Sequence, residues 1–253
     1  MINSEQKGAM GLPGNARDFN GVGEVLLVDK PLDWTSFDVV RRVSVALGIK
    51  KAGHAGTLDP KATGLMILCT GKKTKDLNQF VGLDKEYVGT FELGVRTPSF
   101  DSETEVMERF DYSSVTPETL RSVAKEFVGR QLQKPPMYSA AKHHGKPLYK
   151  YARKGKTVER ASKEIEISEF EICSFTPPLV EFRVACSKGT YIRSLVDDVG
   201  TALGCGASLQ SLRRTRIGSF RIGDAFTMQQ LESIKREFAR SQQENHESCL
   251  PAS

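Results

Sequence analysis

The stretch YVGTFELGV, residues 87–95, gives the clearest local indication of secondary structure in this chain. Tyr87, Phe91, Leu93 and Val95 occupy alternate positions, while the positions between them carry smaller or polar residues. Successive side chains of a strand point to opposite faces of a sheet, so this alternation predicts a strand with one buried face.

Further elements can be placed outward from this strand. A buried strand is predicted at 24–28, and two more strands at 164–175 and 179–186. One helix is predicted from a cap at Ser36 to Gly48, and a second from Thr116-Pro117 to Gly129. Two more helices are predicted, one after residue 191 and one over about 227–239. A polar loop is predicted at 51–62. Because strands and helices mix without strict βαβ alternation, we expect an α+β fold with a mixed, mostly antiparallel sheet flanked by helices.

Composition excludes several classes of protein. Hydrophobic residues make up 39% and charged residues 26% of the chain, as in soluble globular proteins. There is no apolar run long enough to span a bilayer and no signal-peptide core, so we expect a cytoplasmic protein without membrane contact. The five cysteines are odd in number and form no C-x-x-C pair, which argues against a zinc site or a disulfide framework. We expect a monomer.

Positive charge is concentrated in one segment. Residues 130–163 contain ten Lys or Arg and one acid, a net +9 in a chain whose total is +5. Such a segment favours a surface that binds a polyanion, because phosphates are attracted at long range and release counterions on contact. On charge alone, a solvated, flexible lysine-rich loop is the slightly favoured alternative.

A superficial phosphate-binding motif, GLMILCTGKKT at 64–74, does not meet the requirements of a P-loop. Six residues separate Gly64 from Gly71 where the motif has four, and Lys72 is followed by Lys73 rather than Ser or Thr. We therefore expect no nucleotide cofactor.

The loop HAGTLDP, residues 54–60, places an imidazole and a carboxylate close together. Asp-Pro commonly initiates a turn, and a single histidine is commonly a structural hydrogen-bonding residue. From these residues alone, a turn residue is favoured over a catalyst for Asp59.

Six segments, spread in order over residues 23–225, together resemble the bacterial tRNA pseudouridine-55 synthases, the TruB family of pseudouridine synthases. The segments are LVDKP (27–31), GHAGTLDPKATGLMILCTGKKTK (53–75), KEY (85–87), PPMYSAAKHHGKPLYKYARKG (135–155), CSKGTYIRSL (186–195) and LRRTRIG (212–218).

The resemblance implies isomerisation of uridine to pseudouridine in the T-loop of tRNA, at position 55, without a cofactor or a metal. Asp59 would be the catalytic nucleophile or base, Arg193 its charged partner, and Tyr87 a contact of the uracil that assists late proton removal. Two alternatives stay open: a non-catalytic tRNA-folding chaperone, and a pseudouridine synthase acting on another RNA.

The resemblance also implies binding residues. Tyr191, Leu212 and Lys30 would line the pocket, Asp101 would order it, and His54 would stabilise the stack left by the flipped base. The basic insertion would grip the T-arm of tRNA, where lysines contact phosphates and tyrosines stack on bases. Its candidate RNA-binding lysines are Lys142, Lys146, Lys150 and Lys154.

The domain organisation follows from the same segments. Residues 1–22 are expected to be a disordered tail, and 23–225 a pseudouridine-synthase catalytic domain that includes the RNA-binding insertion at 130–163. Residues 226–253 would form a short C-terminal helix and tail, too short for the full C-terminal PUA domain that many members of this family carry.

Overall fold

The computed structural model describes residues 18–233, which divide into two compact units. Unit 1 comprises residues 18–81 and 219–233, and unit 2 comprises residues 82–218. Within residues 18–233 no helix has the length and apolar character needed to cross a membrane.

The elements follow one another along the chain as a mixture of strands and helices. They are β1 (Val25–Lys30), α1 (Ser36–Leu47), β2 (Ala52–Ala55), β3 (Ala62–Thr70), α2 (Leu77–Val81), β4 (Lys85–Leu93), β5 (Val95–Arg96), β6 (Glu108–Arg109), α3 (Pro117–Glu126), β7 (Gly129–Gln133), β8 (Lys142–His143), β9 (Lys146–Pro147), α4 (Tyr149–Ala152), β10 (Lys163–Thr176), β11 (Leu179–Cys186), α5 (Ile192–Ala202), β12 (Ala207–Ile217) and β13 (Phe220–Arg221). Short 3-10 helices lie at Gly71–Asp76 and Ile222–Asp224.

In unit 1 the central strand is β3, which pairs antiparallel with both β1 and β2. Its apolar run is fully buried, as expected for a strand covered on both faces. The predicted loop at 51–62 was wrong at its start, because Ala52–Ala55 pairs with residues 67–70 as β2. At Gly53 a Cβ would lie 2.7 Å from the Leu77 side chain, so the absence of a side chain lets α2 approach this strand.

The predicted cap of α1 was also wrong. Thr35, not Ser36, is the N-cap: its hydroxyl accepts from the Asp38 N–H at 3.1 Å, and the Asp38 carboxylate accepts from the Thr35 N–H at 3.0 Å. This reciprocal arrangement is a capping box. Ser36 lies inside the first turn, buried, where its hydroxyl has another role described below. Gly48 ends the helix in the left-handed conformation, as predicted.

In unit 2 five strands form an antiparallel sheet in the order β7-β10-β11-β4-β12. Apart from isolated parallel bridges at Val28–Phe226 in unit 1 and Asp101–Leu209 in unit 2, the ladders described within each unit are antiparallel. The predicted α+β fold with a mixed, mostly antiparallel sheet is therefore confirmed. The alternation at 87–95 is confirmed as well, since its four large apolar side chains are all buried.

Helix α5 packs on β12 in unit 2. A Cβ at Gly200 would overlap the main-chain nitrogen of Ala207, so only glycine allows the helix to come this close to the strand. Tyr191 and Arg193 lie at the beginning of α5, so this contact holds in place the helix that carries them.

The predicted termini lie only partly within the described residues. Residues 1–17 of the expected 1–22 tail lie outside them, while 18–22 form a turn in which the Asp18 carboxylate accepts from the main-chain N–H of Val22 at 2.8 Å. Of the helix predicted over about 227–239, residues 228–233 are helical and Thr227 caps them through a reciprocal pair of bonds with Gln230. Residues 234–253 lie outside the described part.

Candidate active site

Asp59 lies in a β-turn between β2 and β3. Its main-chain carbonyl accepts from the Ala62 N–H at 3.0 Å, and Pro60 occupies the second position, where its fixed φ suits such a turn. The turn interpretation of Asp-Pro therefore holds for the main chain. It does not conflict with a catalytic carboxylate, because the turn bond uses only the main chain of Asp59 and the residue is half-buried.

The main chain on both sides of Asp59 is held by buried hydrogen bonds. The Ser36 hydroxyl accepts from the Leu58 N–H at 2.9 Å and donates to the Leu58 carbonyl at 3.1 Å. On the other side, the carbonyl of Pro60 accepts from the Lys30 ammonium at 3.2 Å. Lys30, predicted as a pocket residue, is fully buried and also donates to the Pro31 carbonyl at 2.9 Å. Sequence reasoning missed Ser36 in this role, because it assigned the residue to a helix cap.

His54 lies in the same unit, five residues before Asp59. It occupies the middle of β2, opposite Leu68 of β3, and is half-buried. The histidine is therefore presented by a paired strand rather than by a loop, so its position is defined by the sheet of unit 1.

Arg193 and Asp101 are brought together in unit 2. The guanidinium Nε lies 3.4 Å from a carboxylate oxygen of Asp101, and both side chains are at most 5% exposed. The other guanidinium nitrogens donate to main-chain carbonyls: Nη1 to Ser99 at 2.9 Å and Nη2 to Tyr138 at 2.8 Å. A buried charge held in several directions is fixed in orientation, and the planar fork of arginine suits that task.

Asp101 is itself fixed by the loop that carries it. Its second carboxylate oxygen accepts from the Ser99 hydroxyl and from the Glu103 N–H, the latter at 2.9 Å. The preceding residue, Phe100, has φ +64°, which is uncommon for a residue with a side chain. Strained backbone of this kind tends to concentrate at functional sites.

Tyr87 and Leu212 lie on one face of the unit 2 sheet. Tyr87 of β4 is opposite Arg214 of β12, and Leu212 is opposite Gly89 in the same ladder. Tyr87 is 8% exposed and Arg214 is 1% exposed, so both residues of this cross-strand pair are buried. Lys85 precedes Tyr87 on this face; burial, reinforced by the charge of Arg214, lowers the pKa of its ammonium from 10.5 to about 8.

Tyr191 lies where the chain changes from extended to helical backbone. It has an extended backbone, with φ −97° and ψ 107°, and is the N-cap of α5. Arg193 lies in the first turn of that helix. The two side chains therefore leave the main chain on either side of the change from extended to helical backbone.

The insertion carries its lysines in two kinds of surroundings. Lys142, Lys150 and Lys154 are exposed, whereas Lys146 is half-buried with its ammonium 5.0 Å from the centroid of the Tyr151 ring. That separation is within the range of a cation–π contact. Leu148, only 3% exposed, anchors the segment between β9 and α4.

Metal-ligand clusters and cysteine thiols are two other kinds of group to consider in the described residues. Within residues 18–233 no group of three or more His, Cys, Asp or Glu residues could hold a metal ion. Burial raises the pKa of the Cys69 and Cys186 thiols to about 11, so both are protonated and poor nucleophiles near neutral pH.

Two family models match consecutive parts of the chain. The first, described as the TruB family pseudouridylate synthase N-terminal domain, matches residues 44–192. The second, described as the tRNA pseudouridylate synthase B C-terminal domain, matches residues 193–251.

Curated relatives and solved structures agree with these matches. A protein named tRNA pseudouridine synthase B from Chloroherpeton thalassium is 51% identical to this chain, over 81% of this chain and 88% of its own length. The protein of the same name from Opitutus terrae is 50% identical, over 83% of this chain and 87% of its own length. The one from Ralstonia nicotianae is 46% identical over 92% of this chain and 74% of its own length.

The fold is similar to that of chains in two crystal structures. One, of the archaeal box H/ACA sRNP Nop10-Cbf5 complex, gives a TM-score of 0.63 at 28% identity, and covers 86% of this chain and 55% of that one. The other, of a Cbf5-Nop10-Gar1 complex, gives a TM-score of 0.66 at 31% identity, and covers 87% and 57%. This chain thus spans just over half the length of those chains. The chain belongs to the TruB family of pseudouridylate synthases.

Proposed function

We propose that this protein is a tRNA pseudouridine synthase that isomerises the uridine at position 55 in the T-loop. The observation that carries the proposal is the identity of about half of all residues, over four fifths of the chain, to proteins named tRNA pseudouridine synthase B. The geometry of each unit supports it: unit 1 presents Asp59 on a clamped turn, and unit 2 presents a buried, fixed Arg193.

The reaction requires few chemical groups. The N1–C1′ bond of uridine breaks, the base turns and a C5–C1′ bond forms, while C5 loses a proton and N1 gains one. There is no net redox change. Asp59 supplies the carboxylate at the reacting sugar or base. The Tyr87 hydroxyl assists removal of the C5 proton, and Tyr191, Leu212 and Lys30 belong to the surroundings of the base.

The substrate must first leave its stack. Flipping a base out of folded RNA costs a few kcal/mol, which binding must offset. His54, held on β2, fills the vacated place, and the insertion with its +9 charge attracts the phosphates of the T-arm. The protein acts as a monomer and without a cofactor. Residues 23–225 form its catalytic domain.

The test uses a tRNA transcript labelled with tritium at C5 of its uridines. The wild-type protein should release tritium from a single position, and a transcript carrying cytidine at position 55 should release none. Binding without release would indicate a tRNA chaperone instead. Release from the cytidine-55 transcript, or from ribosomal RNA alone, would indicate a synthase for another site.

A further inference from the structure

Gln133 is the last residue of β7, where the sheet of unit 2 ends and the basic insertion begins. Its side chain is 4% exposed. A buried carboxamide must satisfy its donor and its acceptor within the protein, since an unbonded polar group is costly to bury.

Both polar atoms of Gln133 bond to the main chain of one residue, Tyr191. The Gln133 Nε2 donates to the Tyr191 carbonyl at 3.0 Å, and its Oε1 accepts from the Tyr191 N–H at 2.7 Å. Tyr191 is the N-cap of α5, and its carbonyl also accepts the first helical bond, from the Leu195 N–H at 3.1 Å. A residue 58 positions away therefore fixes the point where this helix begins.

Two neighbouring contacts join the same segments. The Ser194 hydroxyl lies 3.4 Å from the Lys134 carbonyl, and Arg193 donates to the Tyr138 carbonyl at 2.8 Å. The start of α5 is thus bonded to the root of the insertion at three places. Gln133 makes the shortest of these contacts and the only two-way one.

We propose that Gln133 is a positioning residue, which holds the Tyr191 peptide so that the Tyr191 ring and the Arg193 guanidinium stand in their productive directions. This inference rests on the proposed function, because Tyr191 and Arg193 act on a substrate only there. Gln133 acts through these residues and does not touch the reacting atoms.

The chain offers a matched control on the same strand. Gln131 is two residues earlier in β7, and its Nε2 donates to the Phe127 carbonyl at 2.7 Å. It makes a bond of the same chemistry but has no contact with α5 in the described bonds. Gln133→Met keeps the length and packing of the side chain while removing both bonds, and Gln133→Ala removes both the bonds and the packing.

The experiment measures single-turnover C5-tritium release at saturating tRNA, the tRNA dissociation constant and thermal unfolding for the wild type, Gln133→Met, Gln133→Ala and Gln131→Ala. We expect both Gln133 variants to react about 10- to 100-fold more slowly, because small misplacements of catalytic groups cost this much. Their tRNA affinity should stay within about threefold of the wild type, and Gln131→Ala should keep the wild-type rate.

Each other outcome has a distinct meaning. Gln133→Met reacting at the wild-type rate overturns the positioning role while leaving the proposed function intact. A wild-type protein that binds tRNA but releases no tritium overturns the proposed function.

Amide hydrogen exchange at Tyr191 tests the hydrogen bond to Gln133 without reference to activity. Exchange of the Tyr191 N–H should accelerate in Gln133→Met but not in Gln131→Ala. Equal exchange in the two variants would overturn the inference, because the bond would then not hold the Tyr191 peptide.

Discussion

Arg193 and the lysines of the insertion carry the same charge in opposite surroundings. Arg193 is 4% exposed and held by two carbonyls and a carboxylate, whereas Lys142, Lys150 and Lys154 are exposed to solvent. A buried charge acts only in the direction in which its bonds hold it, since desolvation makes every unpaired position costly. An exposed charge acts at a distance and is screened by salt. The contrast indicates a division between fixed groups for chemistry and adaptable groups for RNA affinity.

Three sets of variants test this comparison. Among them, the largest loss of reaction rate is expected when the bonds that hold the buried Arg193 are broken. Arg193→Lys keeps the charge, but a single ammonium cannot reach the Ser99 carbonyl, Asp101 and the Tyr138 carbonyl together. The single-turnover rate should fall about 100-fold at saturating tRNA, with little change in affinity.

Arg183→Lys is the matched control. This arginine also pairs with carboxylates, those of Glu169 at 2.7 Å, Glu171 at 3.0 Å and Glu86 at 3.5 Å. Its own side chain is 34% exposed, against 4% for Arg193, and its two shorter contacts are to carboxylates that are more than half exposed. Exposed pairs contribute little, so its rate and stability should stay close to the wild type. Equal losses in the two variants would show that the buried geometry of Arg193 has no special part in the chemistry.

A smaller effect is expected at the turn that carries Asp59. Ser36→Ala leaves the buried N–H and carbonyl of Leu58 without their hydroxyl partner, which should cost about 1–3 kcal/mol of unfolding free energy. The reaction should slow about tenfold as the turn loosens. Thr35→Ala removes the adjacent helix cap at a cost of about 1 kcal/mol, and it should leave the rate unchanged. Unfolding experiments and single-turnover rates on both variants check this.

The smallest effect on the reaction rate is expected for the exposed lysines of the insertion. Replacing Lys142, Lys150 and Lys154 by Gln should weaken tRNA binding and reduce the slope of log affinity against log salt by about 2–3, if each lysine contacts one phosphate. The rate at saturating tRNA should not change. Lys146→Gln should alter the slope less, because this ammonium already lies over the Tyr151 ring.

Neutralising Arg121 and Lys125 provides the control for the insertion. Both are exposed on α3, outside the insertion, and their loss should leave the salt slope nearly unchanged. An unchanged salt slope in the insertion variant would indicate that the insertion is a solvated loop that does not contact RNA phosphates.

Periodicity in the sequence predicted the elements that have one buried face. β4, β10, β11, α3 and α5 all have such faces, and their bounds agree with the prediction to within a few residues. β12 was not predicted, because charged residues such as Arg213 and Arg216 interrupt its apolar pattern, and its two register shifts break any strict alternation. β2 was missed because its short Ala and Gly side chains give no periodic signal.

The site was harder to predict because its contacts are distant in sequence. Ser36 and Leu58 are 22 residues apart, and Gln133 and Tyr191 are 58 apart. Each bond joins a side chain to a main chain, which leaves no pattern of residue types to detect. The resemblance to a family suggested Asp101 and Arg193 as site residues, but only the structure shows that they form a buried pair.

The most direct test of the division between chemistry and affinity is Asp59→Asn, assayed beside the wild type for C5-tritium release and for tRNA binding. Asparagine also favours the first position of such a turn, so the main chain should be preserved. We predict binding within about threefold of the wild type and a rate lower by about 1,000-fold or more, the scale expected for loss of a catalytic carboxylate. Full turnover by Asp59→Asn would contradict the account, since the Asp59 carboxylate would then have no part in the reaction.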